Sequence, residues 1–224
     1  MPHPLAHIDT WIFDLDNTLY PARTNLFAQI DARMGAFVAR LLGVDADEAH
    51  RVQKGFFHAH GTTLRGLMNE HGVDPHSFLN DVHDIDVSVV DYAPALVEAI
   101  ARLPGRKLVF TNADTAYAEK VLDRLGLSGA FEAIHDVHTM DYLPKPDPRA
   151  YAGLCARHGI DPVRALFAED MARNLAPAKA IGMTTVWIDN GSEQGPGEDR
   201  SFIDHIVADL GEWLTGVVAE LEPA

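Results

Sequence analysis

Cysteine is almost absent: Cys155 stands alone in 224 residues. No disulfide can close within the chain and no cysteine cluster can hold zinc, so a reducing compartment, the cytoplasm, is expected. Basic residues are scarce too. The 18 Lys and Arg set against 33 Asp and Glu leave a net charge of −15, and no basic cluster exists to neutralise a polyanion, which excludes nucleic acid as a partner. A small phosphorylated ligand stays compatible, provided that a metal and a few Lys or Arg residues supply local positive charge. Apolar runs long enough to span a bilayer are missing, and residues 1–7 combine neither a basic cluster nor an apolar stretch, so neither a membrane segment nor a targeting segment is expected. Internal repeats and low-complexity tracts are absent as well.

What is present is an ordinary core-forming composition, 47% hydrophobic and 23% charged, with one abrupt feature near its start. The apolar run Trp11-Ile12-Phe13 breaks into Asp14-Leu15-Asp16-Asn17-Thr18. The run fits a central strand, and the two-residue side-chain period places Asp14 and Asp16 on one side as the strand ends. Two carboxylates held about 4 Å apart repel by about 4 kcal/mol at an effective dielectric of 20, so a divalent cation or a proton must intervene. The alternative reading is a turn whose Asp and Asn residues cap the next helix.

Apolar spacing predicts helices over residues 25–42, 45–60, 62–71 and 75–83, with no strand between residues 21 and 91. Beyond Asp91 the pattern alternates. Helices are expected over 94–103, 115–125 and 148–158, with another running through Ile181, and strands over 107–111, 133–137, 165–168 and 184–188. Such alternation implies right-handed βαβ units. The fold expected is therefore α/β, a Rossmann-like doubly wound parallel sheet carrying an inserted α-helical cap. Residues 1–20 and 92–224 would form the core and 21–91 the cap. A polar, Gly-rich surface loop is expected over 190–200, followed by a last amphipathic helix containing Leu210, Trp213, Leu214 and Val217.

Three further polar clusters follow the later strands, at the sheet edge where open α/β folds bind ligands. Thr111-Asn112 offers a hydroxyl, an amide and helix-start N–H groups suited to phosphate oxygens, or else a helix N-cap. Lys145, between Pro144 and Pro146, is a rigidly presented point charge for an anion, or else a solvated loop lysine. Glu169-Asp170, with Asn174 a helical turn on, adds the oxygen-rich, incomplete shell that Mg²⁺ prefers.

In this order and after these strands, the clusters resemble the motifs of the haloacid dehalogenase superfamily of phosphohydrolases. Asp14-x-Asp16-x-Thr18 is similar to its first motif, Thr111 to its second, Lys145 to its third and Glu169-Asp170 to its fourth. The resemblance covers residues 8–20 and 92–190, with the helical insert in the place of the family's cap. One departure is Met171, where many relatives carry a small hydroxyl residue. The wording of residues 14–20, of His60-Gly61-Thr62-Thr63-Leu64-Arg65-Gly66-Leu67, and of Asn174-Leu175 with Lys179-Ala180-Ile181-Gly182-Met183 is similar to the pyrimidine 5′-nucleotidase branch.

The resemblance implies a Mg²⁺-dependent phosphomonoesterase acting through an aspartyl phosphate. Asp14 would be the nucleophile and Asp16 the general acid and base. Thr111, Asn112 and Lys145 would bind phosphate. The metal would be held by Asp14, the backbone carbonyl of Asp16, and Asp170, with Glu169 supporting the metal shell or Lys145. Arg23, Thr62, Thr63 and Arg65 are candidate substrate contacts from the cap. The partner implied is a small phosphorylated metabolite, a nucleoside 5′-monophosphate with a pyrimidine base; a sugar phosphate or phosphoglycolate is the alternative. A 2-haloacid dehalogenase on the same fold would have no leaving oxygen to protonate, and a silent binding module would not need all four motifs.

Other residues invite weaker readings. His58 with His60, and His135 with His138, lack zinc-enzyme spacing. Cys155 reads as buried filler, and residues 191–197 as a flexible turn.

Overall fold

The computed structural model describes residues 3–191 and 199–221. Within them, the strands β1 (Thr10–Phe13), β2 (Arg106–Phe110), β3 (Ala133–His135), β4 (Ala165–Glu169), β5 (Thr184–Ile188) and β6 (His205–Val207) form one sheet in the order β3-β2-β1-β4-β5-β6. Every neighbouring pair is parallel. All residues of β1 and β4 are buried, which is why they read as unbroken apolar runs rather than alternating ones. Topology supplies the site. The chain adds β2 and β3 on one side of β1, then crosses over to add β4, β5 and β6 on the other, so β1 and β4 flank the crevice where strand order reverses.

Between β1 and β2 lie α1 (Leu26–Leu42), α2 (Ala46–His60), α3 (Thr63–His71), α4 (Pro75–Val82) and α5 (Pro94–Arg102). The first four form the helical insert. Its last three helices begin at side-chain caps, with Asp45, Thr62 and Asp74 accepting from the backbone N–H of Glu48, Arg65 and Ser77. The α1 and α2 helices pack together, α3 on α2, and α4 on α1. At the α2–α3 contact Gly66 is needed for space, because a Cβ there would lie 2.5 Å from the Phe56 side chain. The remaining helices are α6 (Thr115–Leu125), α7 (Pro148–His158), α8 (Leu175–Ala180) and α9 (Leu210–Leu221), with α9 packed on α5.

Two expectations need correction. The strand expected over 133–137 stops at His135, because the Asp136 carboxylate leaves the ladder to accept from the backbone N–H groups and hydroxyls of Thr115 and Thr139. The sheet also does not end at β5: residues 205–207 add β6, three residues that begin with a histidine and are too short to show a period. Most of the loop expected over 190–200, including residues 192–197 of the expected flexible turn, lies outside the described residues. No helix among the described residues is long and apolar enough to cross a membrane.

Candidate active site

Beyond Phe13 the chain leaves the strand at a carboxylate. The Asp14 N–H donates to the Ala168 carbonyl (2.9 Å), so Asp14 is fixed at the end of the β1–β4 ladder, only 6% exposed. Leu15 is buried, Asn17 adopts the left-handed conformation (φ 58°), and the loop turns back so that Thr18 faces β4. There the Thr18 hydroxyl accepts from the Asp170 N–H (3.1 Å). That contact ties the loop after β1 to the loop after β4 across 152 residues of sequence.

Lys145 is not a solvated loop lysine. It is 1% exposed, and its ammonium donates to Asp14 Oδ1 (2.6 Å), Glu169 Oε2 (2.7 Å) and the Phe110 carbonyl (2.8 Å). All three donors are used. The rings of Phe110 and Phe167 lie 5.1 and 5.3 Å from it, a low-dielectric floor that strengthens each charge contact. Asn112 explains why Lys145 stands where it does: its amide donates to the Lys145 carbonyl (3.2 Å) and its oxygen accepts from the Lys145 N–H (2.9 Å). Glu169 is held by the amide of Asn174 (3.0 Å) and the N–H of Met171 (3.1 Å). At Met171, the departure from the family pattern, the contact to Glu169 is made by backbone. Asp170 is buried, and its carbonyl accepts from the Trp187 indole (2.8 Å).

Thr111 is buried beside this group, its hydroxyl oxygen accepting from the Ala113 N–H (3.0 Å). Neither it nor Asn112 is the N-cap of α6; that cap is Asp114. Among the described residues, Asp14, Glu169 and Asp170 are the group of carboxylates whose ligand atoms all lie within 4.8 Å of one another. Three carboxylates are buried here beside one ammonium, and the imbalance shows at Asp14. Burial, then repulsion from Glu169, pushes Asp14 up to about 8 in spite of Lys145. Burial alone would lower Lys145, but Asp14 and Glu169 outweigh it and hold the ammonium charged above its ordinary range. Burial also raises Asp16, against the hydrogen bonds of two phenols. An all-oxygen, negatively charged cluster of this kind suits a hard divalent cation.

The carboxylates open into a cavity of about 560 Å³ between the sheet edge and the helical insert, lined by Asp14, Asp16, Thr111, Asn112, Lys145, Glu169 and Asp170 from the sheet side. Across it stand Phe27, Met34, Phe57 and Phe78, with Gln53, Thr62 and Thr63. Of the four cap residues singled out in the sequence, Thr62 and Thr63 line it and Arg65 does not; Arg23 lines a second hollow beside Pro94 and Leu210. Two further lining cations make contacts of their own: Lys54, from the insert, bonds Asp31 (2.8 Å), and the guanidinium of Arg173, which follows β4, lies 4.0 Å from the centre of the Phe57 ring. Sequence reading missed Tyr20 and Tyr117, both bonded to Asp16, and His83, stacked on Tyr117.

The histidine pairs do not assemble as pairs. His60 bonds Glu70, His135 bonds His158, and His138 bonds Tyr142 and stacks on His76. Cys155 is half-buried, its thiol pushed up by burial and by Asp161.

Comparison with known proteins agrees with this geometry. Residues 8–182 match the model of the family described as haloacid dehalogenase-like hydrolase. Phosphoglycolate phosphatase of Mesorhizobium japonicum is 30% identical over 218 residues, 91% of this chain and 95% of that protein. Phosphate metabolism protein 8 of Saccharomyces cerevisiae is 26% identical over 82% of this chain, a match that spans 62% of the yeast protein. Among solved structures, the HAD phosphatase from Thermococcus onnurineus superposes with a TM-score of 0.62 at 18% identity, covering 94% of this chain and 98% of that one.

Proposed function

Because the chain belongs to the haloacid dehalogenase-like hydrolases, we propose that it is a Mg²⁺-dependent phosphomonoesterase working through an aspartyl phosphate on Asp14, with a pyrimidine nucleoside 5′-monophosphate as substrate. The observation that carries the reading is the convergence of Asp14, Asp16, Thr111, Lys145 and Asp170 on one cavity. Asp14, Asp170 and the Asp16 carbonyl would hold the ion, with Glu169 kept for Lys145. Mg²⁺, when bound, neutralises the charge that would otherwise keep carboxylate and phosphate apart.

The chain's own residues divide the remaining work. Lys145 holds Asp14 by one oxygen and keeps it aimed. Asp14 attacks phosphorus as the ester P–O bond breaks, and Asp16 gives its proton to the departing oxygen. In the second half Asp16 takes a proton from water, which attacks the same phosphorus, frees Asp14 and releases inorganic phosphate. The Thr111 hydroxyl, already accepting from Ala113, keeps its own proton for a phosphate oxygen.

The far wall of the cavity supports a leaving group that is uncharged and partly flat. Aromatic rings and a thioether face the space, Lys54 is paired with Asp31, and the Arg173 guanidinium lies over the Phe57 ring. A nucleoside meets those conditions better than a carboxylate-bearing alcohol such as glycolate, although phosphoglycolate is what the Mesorhizobium relative is named for. Phosphate release should be measured with Mg²⁺ from UMP, CMP, purine nucleotides, phosphoglycolate and fructose 1-phosphate, each repeated with Asp14→Asn. Preference for UMP and CMP, lost in the variant, supports the whole reading. Preference for phosphoglycolate or a sugar phosphate removes the nucleotide assignment, and no hydrolysis of any phosphate ester removes the phosphatase.

A further inference from the structure

Asp16 is gripped from two sides by phenols that come from distant parts of the chain. The Tyr20 hydroxyl, at the end of the loop that carries Asp16, donates to Asp16 Oδ1 at 2.6 Å. The Tyr117 hydroxyl, from the first turn of α6, donates to the same oxygen at 2.7 Å. The two hydroxyl oxygens are 3.4 Å apart, and both tyrosines are 1% exposed. Burial, then the charge of Asp16, raises both phenols well above their ordinary range, so they stay protonated donors. Tyr117 is itself braced. Its ring stacks on His83 from the end of α4 (centroids 4.4 Å apart, planes 16°), His83 Nδ1 pairs with Asp114 Oδ2 (2.6 Å), and Asp114 caps the helix that carries Tyr117.

Counting lone pairs turns this grip into a chemical statement. A carboxyl oxygen that accepts two hydrogen bonds has no room left for a proton. Among the described residues no hydrogen bond reaches Asp16 Oδ2. When Asp16 is protonated, its proton therefore sits on Oδ2, and two donors on Oδ1 stop the carboxyl group from rotating to exchange its oxygens.

We propose that Tyr20 and Tyr117 are positioning residues that fix Asp16 by Oδ1 and make Oδ2 the single oxygen from which the leaving group is protonated. This rests on the reading of Asp16 as general acid. In the first half-reaction the Oδ2–H bond breaks, its proton passes to the ester oxygen as the P–O bond breaks, and Asp16 is left as a carboxylate. Both phenols then donate to that anion, which they stabilise more strongly than the neutral acid. In the second half-reaction Oδ2 recovers a proton from the attacking water.

Leaving-group dependence separates positioning of an acid from general support of the fold. 4-Nitrophenol leaves readily without a proton, whereas phenol and alcohols do not. Tyr117→Phe and Tyr20→Phe each keep the ring and remove one donor. For each, kcat/KM for phenyl phosphate should fall by about 10-fold or more, the scale of a lost hydrogen bond to a charged group. For 4-nitrophenyl phosphate the fall should be no more than about 3-fold, and retention of that activity shows that the variant is folded. Asp16→Asn, measured in parallel, should show the same selective loss, only larger. If Asp16→Asn is selective and both tyrosine variants lose the two substrates equally, or lose neither, the clamp is overturned. If Asp16→Asn shows no selectivity, Asp16 is not the acid, and the reading beneath the proposal fails first.

Discussion

Replacing the proposed nucleophile should make the metal-free protein more stable. Asp14 is 6% exposed, and burial together with Glu169 pushes its carboxyl up to about 8 from an ordinary value of 3.8. An acid whose folded-state pKa lies above its unfolded one weakens the fold progressively as pH rises between the two, here from about 4 to about 8. For an isolated group, that displacement corresponds to up to about 6 kcal/mol. Part of it is shared with Glu169 and Lys145, so the expectation for Asp14→Asn at pH 8 is on the order of 2–4 kcal/mol in the variant's favour. For a domain of this size that is a rise in Tm of roughly 4–16 °C.

The assay is thermal unfolding in a chelator from pH 5 to pH 9. The gap between variant and wild type should widen as pH rises and level off near pH 8. Saturating Mg²⁺ should narrow it, because an ion at 100 times its Kd stabilises the protein that binds it by about 2.7 kcal/mol. A gap that does not change between pH 5 and pH 8 in chelator, or one that grows in favour of wild type, refutes the claim that the site carries uncompensated negative charge.

Other consequences follow from the same contacts. Lys145→Met removes the partner of two buried carboxylates and should cost about 3–5 kcal/mol in urea denaturation without metal; a loss below about 1 kcal/mol contradicts its assigned place. Burial, then His158, lowers His135 to about 4, so the unfolded chain takes up a proton below pH 6.5 that the folded protein refuses. Stability should therefore fall by up to about 3 kcal/mol between pH 6.5 and pH 4 through this residue, and His135→Phe should flatten that limb of the urea-denaturation profile; an unchanged slope rejects the assignment. Gly66→Ala drives a methyl against Phe56 at 2.5 Å and should cost about 1–3 kcal/mol. Hydrogen exchange should show protection lost in α2 and α3 first, and unaltered protection there rules out the clash.

The sheet core could be read in the sequence because β1, β2, β4 and β5 are short apolar runs set between helical periods, and because caps such as Asp45, Asp74 and Asp147 mark helix starts. Residues 205–207 were illegible: a half-exposed edge strand of three residues has no period to detect. At the site, Asp14, Lys145, Glu169 and Asp170 stand at or just beyond strand ends or between prolines, so chain order reveals them. Tyr117 did not stand out, because its hydroxyl meets Asp16 across 101 residues and its helix shows only a buried aromatic on the core face. Asn112 shows its amide in the sequence but not that this amide also bonds both polar groups of the Lys145 backbone, a contact across 33 residues. Membership of the cap does not tell which side chains face the site: Thr62 and Thr63 line the cavity, whereas Arg65 does not and Arg23 lines the second hollow.

Covalent trapping tests the central claim most directly. Asp16→Asn should slow release of the phosphoryl group from Asp14 while still accepting it from 4-nitrophenyl phosphate, so acid quenching in Mg²⁺ followed by peptide mass mapping should find one phosphoryl group on Asp14, and none after Asp14→Asn in the same background. Inorganic phosphate formed without a phosphorylated Asp14, or a phosphoryl group mapped to any other residue, contradicts the account.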